Sequence, residues 1–236
     1  MVDHEAFWAR QRLLVIAPHP DDEAYGCAGT MAKVKALGGQ VYVLVGSVGD
    51  LQHYGNGPVA AETRLAELDR AMEVLRVDDY DVLFTDSDRH LRLDAVPQRD
   101  LMALIERDSR CSLDRVRPTA VLLPTPAFNQ DHDALFRAGF AACRPHLRQH
   151  KSCADLVLSY ESPHVAWAPQ TLRPTLYVDI SAYLTVKLQA LSCHASQVRP
   201  APDWGSRENV ERLARLRGAE VAVDAAEAFV CHRVVL

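Results

Sequence analysis

The chain is short of the features that would take it out of the ordinary globular class. None of its apolar runs approaches the roughly 20 residues that a membrane-spanning helix requires, so no such helix is expected in its 236 residues. The opening residues, MVDHEAFWAR, hold no basic cluster, and the apolar run LLVIA behind them is shorter than the core of a secretory signal. Export by that route is not expected; a cytoplasmic setting is. The six cysteines (27, 111, 143, 153, 193 and 231) include no CxxC pair, which matches neither a zinc ribbon nor a disulfide framework. They are expected as reduced thiols, mostly in the core. Positive charge is in deficit too: 26 Lys and Arg against 31 Asp and Glu give a net −5. That balance argues against a nucleic-acid partner, which needs a basic stripe. Late in the chain Arg207, Arg212, Arg215 and Arg217 alternate with Glu208 and Glu211 at helical spacing, which reads as a solvated helix face.

With 48% hydrophobic and 24% charged residues, the chain has the composition of one large domain spanning residues 1–236. Apolar strand-like runs at 12–17, 41–47, 81–84, 120–124, 156–160 and 175–180 alternate with helical patterns near 26–37, 59–75, 97–107, 132–147, 181–196 and 206–220. Near-continuous apolar strands separated by helices predict an α/β, Rossmann-like fold: a mostly parallel sheet with helices on both faces. Residues 55–58, GNGP, read as a loop tip.

The run IAPHPDDEAYGCAGT (16–30) leaves the first strand through a histidine, a proline and three successive acids. Asp21, Asp22 and Glu23 repel one another, so a positive partner is expected among them. His19 and Asp22, three apart on a loop stiffened by Pro20, can reach one cation. In a parallel sheet the loop after the strand at 120–124 lies on the same rim, and it offers His132 within NQDHD. Two histidines and one carboxylate, with a fourth position left to water, make a catalytic zinc set that also accepts iron(II) or cobalt(II). Asp21 is then free to act as general base. Glu23 is expected to cap the following helix or to hold a ligand histidine in its tautomer. A dinucleotide fingerprint fits poorly, because the carboxylates of this turn would repel a pyrophosphate. Gly26 and Gly29 read instead as sites of tight helix packing.

VIAPHPDDEAYGCAGTMAK resembles the signature of the zinc-dependent sugar N-deacetylases, the LmbE-like or PIG-L family. ETRLAELDRAMEVL is similar to that family's RxxE helix, PAFNQDHDALFRA to its third-ligand loop, and KLQALSCHASQ and LARLRGAEVAVDAAEAF to later segments. The resemblance implies a single Zn2+ on His19, Asp22 and His132, with Asp21 as base. It implies substrate contacts from Arg64 and Asp88, although an ion pair with Glu67 and a turn role explain these two as well. Many relatives carry a histidine where this chain has Asn129, which donates a hydrogen bond but no proton at neutral pH. The proton for the leaving amine then comes from Asp21 or from His194, which also reads as a packed helix residue.

His4, His146, His150 and His232 read as surface residues, and His53 and His90 as loop residues, with lining of the site as the lesser alternative. Tyr160, Glu161 and Trp167 form either a wall for a sugar ring or a core cluster. The expected activity is removal of an acetyl group from an N-acetylated amino sugar or glycoconjugate of the N-acetylglucosamine type. The alternatives are an amide hydrolase acting on a non-sugar amine and a catalytically silent metal- or sugar-binding module. The sequence permits an oligomer.

Overall fold

The computed structural model describes residues 4–53, 57–167 and 172–235. In chain order the elements are α1 (His4–Ala9), β1 (Arg12–Ala17), α2 (Asp22–Ala36), β2 (Gln40–Ser47), β3 (Leu51–His53), β4 (Gly57–Val59), α3 (Ala61–Leu75), β5 (Asp79–Phe84), α4 (Gln98–Ala103), α5 (Leu113–Val116), β6 (Ala120–Pro124), α6 (Gln130–Ala142), β7 (Leu156–Tyr160), β8 (Leu176–Asp179), α7 (Leu184–Cys193), α8 (Arg207–Ala219) and β9 (Ala226–Val234). Seven strands form one sheet in the order β5-β2-β1-β6-β7-β9-β8, and β3 pairs with β4 as a separate hairpin. The pairs from β5 across to β7 are parallel, while β9 runs antiparallel to both β7 and β8. The architecture is the expected mostly parallel α/β sheet.

Alternation along the central strand builds both cores. Leu13 and Val15 pack with Val43, Met31, Leu68 and Leu191 on one face, and Leu14 and Ile16 with Leu44, Leu101 and Leu135 on the other. Each such side chain, fully buried, contributes about 1.5–3 kcal/mol. Strand order reverses between β1 and β6, since the chain leaves β1 towards β2 and later returns to β6 on the opposite side. That switch opens a crevice beyond the carboxyl ends of the two strands.

Several elements depart from expectation. Helix α2 begins at Asp22 rather than near residue 26, so two of the three acids form its first turn, as the helix dipole favours. The helix is broken at Cys27 (φ −146°, ψ 15°). Both ends exposed by the break are served from far along the chain. Glu227 of β9 accepts from the Gly29 and Thr30 N–H groups at 2.9 and 2.7 Å, and Lys187 of α7 donates to the Tyr25 carbonyl at 2.7 Å. Lys187 and Glu227 also pair with each other at 2.7 Å, both buried. Gly26 lies so close to β7 that a Cβ there would fall 2.2 Å from Tyr160 Cδ2, which bears out the close-packing role read for it. Helix α6 stops at Ala142 rather than near 147, because Pro145 disfavours helix at the residue before it. Strand β9 had no counterpart in the sequence pattern: only its first half is buried on both faces. Gly57 and Pro58 belong to β4, while Gly55 and Asn56 of the expected loop tip lie outside the described residues.

Candidate metal centre and active site

The two loops that meet at the switch bring the expected ligands together. His19, Asp22 and His132 are buried, and each offers a ligand atom within 4.8 Å of the others. Asp22 Oδ2 lies 3.5 Å from His19 Nδ1 and 3.4 Å from His132 Nε2. Ligand atoms about 2.0–2.1 Å from a tetrahedral zinc stand about 3.3 Å apart, so the two distances from Asp22 suit such a cation. Asp22 Oδ2 also accepts the His19 N–H at 3.0 Å, which ties the carboxylate to its own turn.

Asp131 fixes which nitrogen of His19 is available. Its Oδ2 stands 2.9 Å from His19 Nε2, and its Oδ1 accepts the Leu93 N–H at 2.8 Å. An ionised carboxylate only accepts, so Nε2 carries a proton, and Nδ1, which faces Asp22, is the nitrogen that a cation would take in place of a second proton. The tautomer-holding role expected of Glu23 thus belongs to Asp131. Asp131 lies inside NQDHD beside His132, and an acid next to a candidate ligand histidine is the signal in the sequence that points to it. Burial opposes a charge on His19, but the hydrogen bonds to Asp131 and Asp22 outweigh it and push its pKa up to about 9. Burial would raise Asp22, yet His132 and His19 hold it well below the usual carboxylate range.

Asp21 sits beside this cluster, with its pKa pushed up to about 7 by burial and by the charge of Asp22. It is the N-cap of α2, but its carboxylate makes no capping bond. With His19, Asp22 and His132 it lines a cavity of about 240 Å³, whose walls include Tyr25, Arg64, His90, Asn129, Gln197, Arg199 and Trp204. Asn129 is the N-cap of α6, its Oδ1 accepting the Asp131 N–H at 2.9 Å, which leaves Nδ2 as its donor side. Arg64 Nη1 donates to His90 Nε2 at 2.7 Å, so His90 is neutral and its Nδ1–H donates to Ser47 Oγ at 3.1 Å. Burial, His19 and Arg64 lower the His90 pKa to about 3. His90, read from the sequence as a loop residue, is therefore part of the wall. Arg64 also faces the cavity rather than pairing with Glu67, which instead accepts from Ser196 N–H and Oγ–H at 2.8 and 2.6 Å.

Other expected residues fall elsewhere. Asp88 is exposed on the turn after β5 and does not line the cavity. His194 is fully buried, outside the cavity, with Nε2 2.8 Å from Glu23 Oε1. Burial opposes its charge, and Glu23 more than offsets this and raises its pKa. Tyr160 belongs to the core, its hydroxyl donating to the Ile16 carbonyl at 3.1 Å. Glu161 is paired in a fork with Arg217 at 2.7 and 2.6 Å, so Arg217 leaves the solvated face on which Arg215 remains. Trp167 is exposed and also outside the cavity. The side chain of His53 lies outside the described residues. His4, His146, His150 and His232 are exposed, and all six cysteines are free, three of them buried. A larger hollow of about 780 Å³ lies across Phe128, over β7 and β9, but contains none of the clustered ligands. No helix among the described residues is long and apolar enough to cross a membrane.

Comparison with known proteins places the sequence in a family. A family model described as PIG-L, GlcNAc-PI de-N-acetylase, matches residues 14–143, more than half of the chain. The diacetylchitobiose deacetylase of Thermococcus kodakarensis is 30% identical over 211 residues, covering 85% of this chain and 75% of that protein. Among solved structures, the conserved protein TT1542 from Thermus thermophilus superposes with a TM-score of 0.72 at 28% identity, covering 96% of each chain. The 4-carboxy-2-hydroxymuconate hydratase GalB from Pseudomonas putida KT2440 superposes with a TM-score of 0.70 at 20% identity, over 95% of this chain and 97% of that one. A fold shared with a hydratase does not by itself assign a chemistry, which only the site can distinguish.

Proposed function

The chain belongs to the PIG-L, GlcNAc-PI de-N-acetylase, family, and from that premise we propose that it is a zinc-dependent N-deacetylase acting on an N-acetylated amino sugar or glycoconjugate. The observation that carries the proposal is a cation-sized set of His19, Asp22 and His132 beside a carboxylate, Asp21, that neither caps its helix nor belongs to the ligand set. A silent binding module has no need of that carboxylate.

A bound divalent cation would supply Lewis acidity, polarising the amide carbonyl and strengthening water as an acid. Asp21 takes the proton of the attacking water and returns it to the nitrogen of the departing amine, so that amide and water leave as acetate and amine. Asn129 Nδ2 donates to the carbonyl oxygen as negative charge develops on it. His194 lies buried outside the cavity, which supports Asp21 as the acid as well as the base. Trp204 and Tyr25 offer apolar faces, and Arg64 and Arg199 fixed donors, a combination suited to a sugar ring and its substituents. The ligand types also admit iron(II) or cobalt(II). Six free cysteines suit a reducing, cytoplasmic setting.

The test is release of acetate and of a free amine from a panel of N-acetylglucosamine, diacetylchitobiose, N-acetylated sugar nucleotides and acylated non-sugar amines. The expected result is turnover of at least one sugar, abolished by a chelator and restored by zinc. Turnover of non-sugar amines alone would refute the sugar assignment, and activity indifferent to chelation would refute the metal assignment.

A further inference from the structure

The carboxylate assigned as base hangs from a main chain that seldom carries a side chain. Asp21 has φ 120° and ψ −29°, a conformation that L residues rarely adopt and that surrounding contacts must maintain. Its carbonyl accepts from the Ala24 and Tyr25 N–H groups, both at 2.9 Å, and so begins α2. An aspartate at an N-cap usually folds its carboxylate back onto the helix N–H groups; this one does not.

The contact on the Asp21 N–H is Glu23, whose Oε2 accepts from it at 3.1 Å. The other oxygen, Oε1, is 2.8 Å from His194 Nε2. Glu23 and His194 are both fully buried and neither faces the cavity. His194 caps the C-terminal end of α7, and its carbonyl accepts from the Gln197 and Val198 N–H groups at 2.9 and 3.0 Å. It therefore joins the turn that carries Gln197 into the cavity to the turn that carries Asp21.

We propose that Glu23 and His194 are positioning residues: a buried pair that clamps the Asp21 main chain and so keeps its carboxylate turned into the cavity beside Asp22. His194 orients Glu23, Glu23 holds the Asp21 N–H, and neither touches the substrate. The kinetic consequence rests on the deacetylase assignment; the clamp itself does not.

The experiment compares His194→Gln, which keeps a donor for Glu23, with His194→Phe, which removes it, in the full chain loaded with zinc. Hydrogen exchange is followed in the peptide covering residues 18–25. The expected result is exchange there at least tenfold faster in the phenylalanine variant, unchanged elsewhere, and close to normal in the glutamine variant. For acetate release, kcat should fall at least tenfold in His194→Phe with KM and zinc content unchanged, and should be largely restored in His194→Gln. On an Asp21→Asn background, His194→Phe should cost nothing further, because it acts through the group already lost. Exchange that does not change, or a full additional loss on that background, would overturn the proposal. If His194→Phe fails to fold, Glu23→Gln carries the same comparison, since its amide cannot accept both hydrogen bonds. Absence of acetate release in the wild type would defeat the deacetylase assignment and leave the exchange result to decide the clamp.

Discussion

Two buried carboxylate–histidine pairs flank the first turn of α2, and they end differently. Asp131 holds His19 at 2.9 Å and Glu23 holds His194 at 2.8 Å. In the first pair the other ring nitrogen of the histidine faces Asp22, across a gap that suits a shared cation. In the second the other nitrogen, Nδ1, is buried with no hydrogen-bond partner among the described residues. On the roles proposed above, the same chemical pair serves as a ligand mount where its second nitrogen faces another carboxylate, and as a strut where that nitrogen is buried. Burial and bond length do not distinguish the two; what the second nitrogen faces does.

Variants can widen or close that difference. The largest effect is expected at the carboxylate between the pairs: Asp21→Asn should lower kcat by about 10² to 10⁴, with KM and metal content retained. Comparable activity in the zinc-loaded variant would remove Asp21 from the chemistry. Next comes a buried pair away from the site. Lys187→Met leaves Glu227 charged and unpaired inside the protein, a change that typically costs about 3–5 kcal/mol. At roughly 2–4 °C per kcal/mol for a chain of this size, calorimetry should find the midpoint lowered by roughly 10 °C; a shift of a degree or two would mean that Glu227 retains enough N–H donors without the lysine.

A smaller effect sharpens the comparison itself. Asp131→Asn leaves one acceptor oxygen for the His19 and Leu93 N–H groups, which loosens the hold on the His19 tautomer, and should weaken metal binding by about 10- to 100-fold, read by competition with a chromophoric chelator. Glu23→Gln should leave that affinity within about twofold, an estimate that follows from its pair ending away from the ligand atoms. Equal losses in the two variants would erase the distinction. The smallest effect belongs to the exposed face of α8, where Arg215→Ala breaks a pair with Glu211. Chemical denaturation should register less than about 1 kcal/mol there.

The sheet and the ligand set were legible because they rest on local signals. Apolar runs such as LLVIA and AVLLP have no plausible place outside a sheet buried on both faces, and HPDDE puts incompatible charges side by side. What escaped was set by contacts distant in sequence. Strand β9 takes its identity from antiparallel pairing with β7 and β8. His90 enters the wall only because Arg64 and Ser47 fix both of its nitrogens. Of the two roles expected of Glu23, the capping one holds, since its Oε2 accepts the N–H of Asp21, the N-cap of α2; the hold on His19 falls to Asp131, since the spacing of residues along a turn does not tell which histidine a carboxylate will meet in space. Arg217 was read as solvated because its partner, Glu161, comes from the end of another strand.

On the proposed reading, His19, Asp22 and His132 hold one cation while the neighbouring Asp21 and the Glu23–His194 pair do not. Elemental analysis of purified, zinc-loaded protein tests it most directly, on the wild type and on His132→Ala, Asp21→Asn and Glu23→Gln. The account predicts one metal ion per chain in the wild type, in Asp21→Asn and in Glu23→Gln, and none in His132→Ala. A full complement of metal in His132→Ala, or its loss from Asp21→Asn, would contradict it.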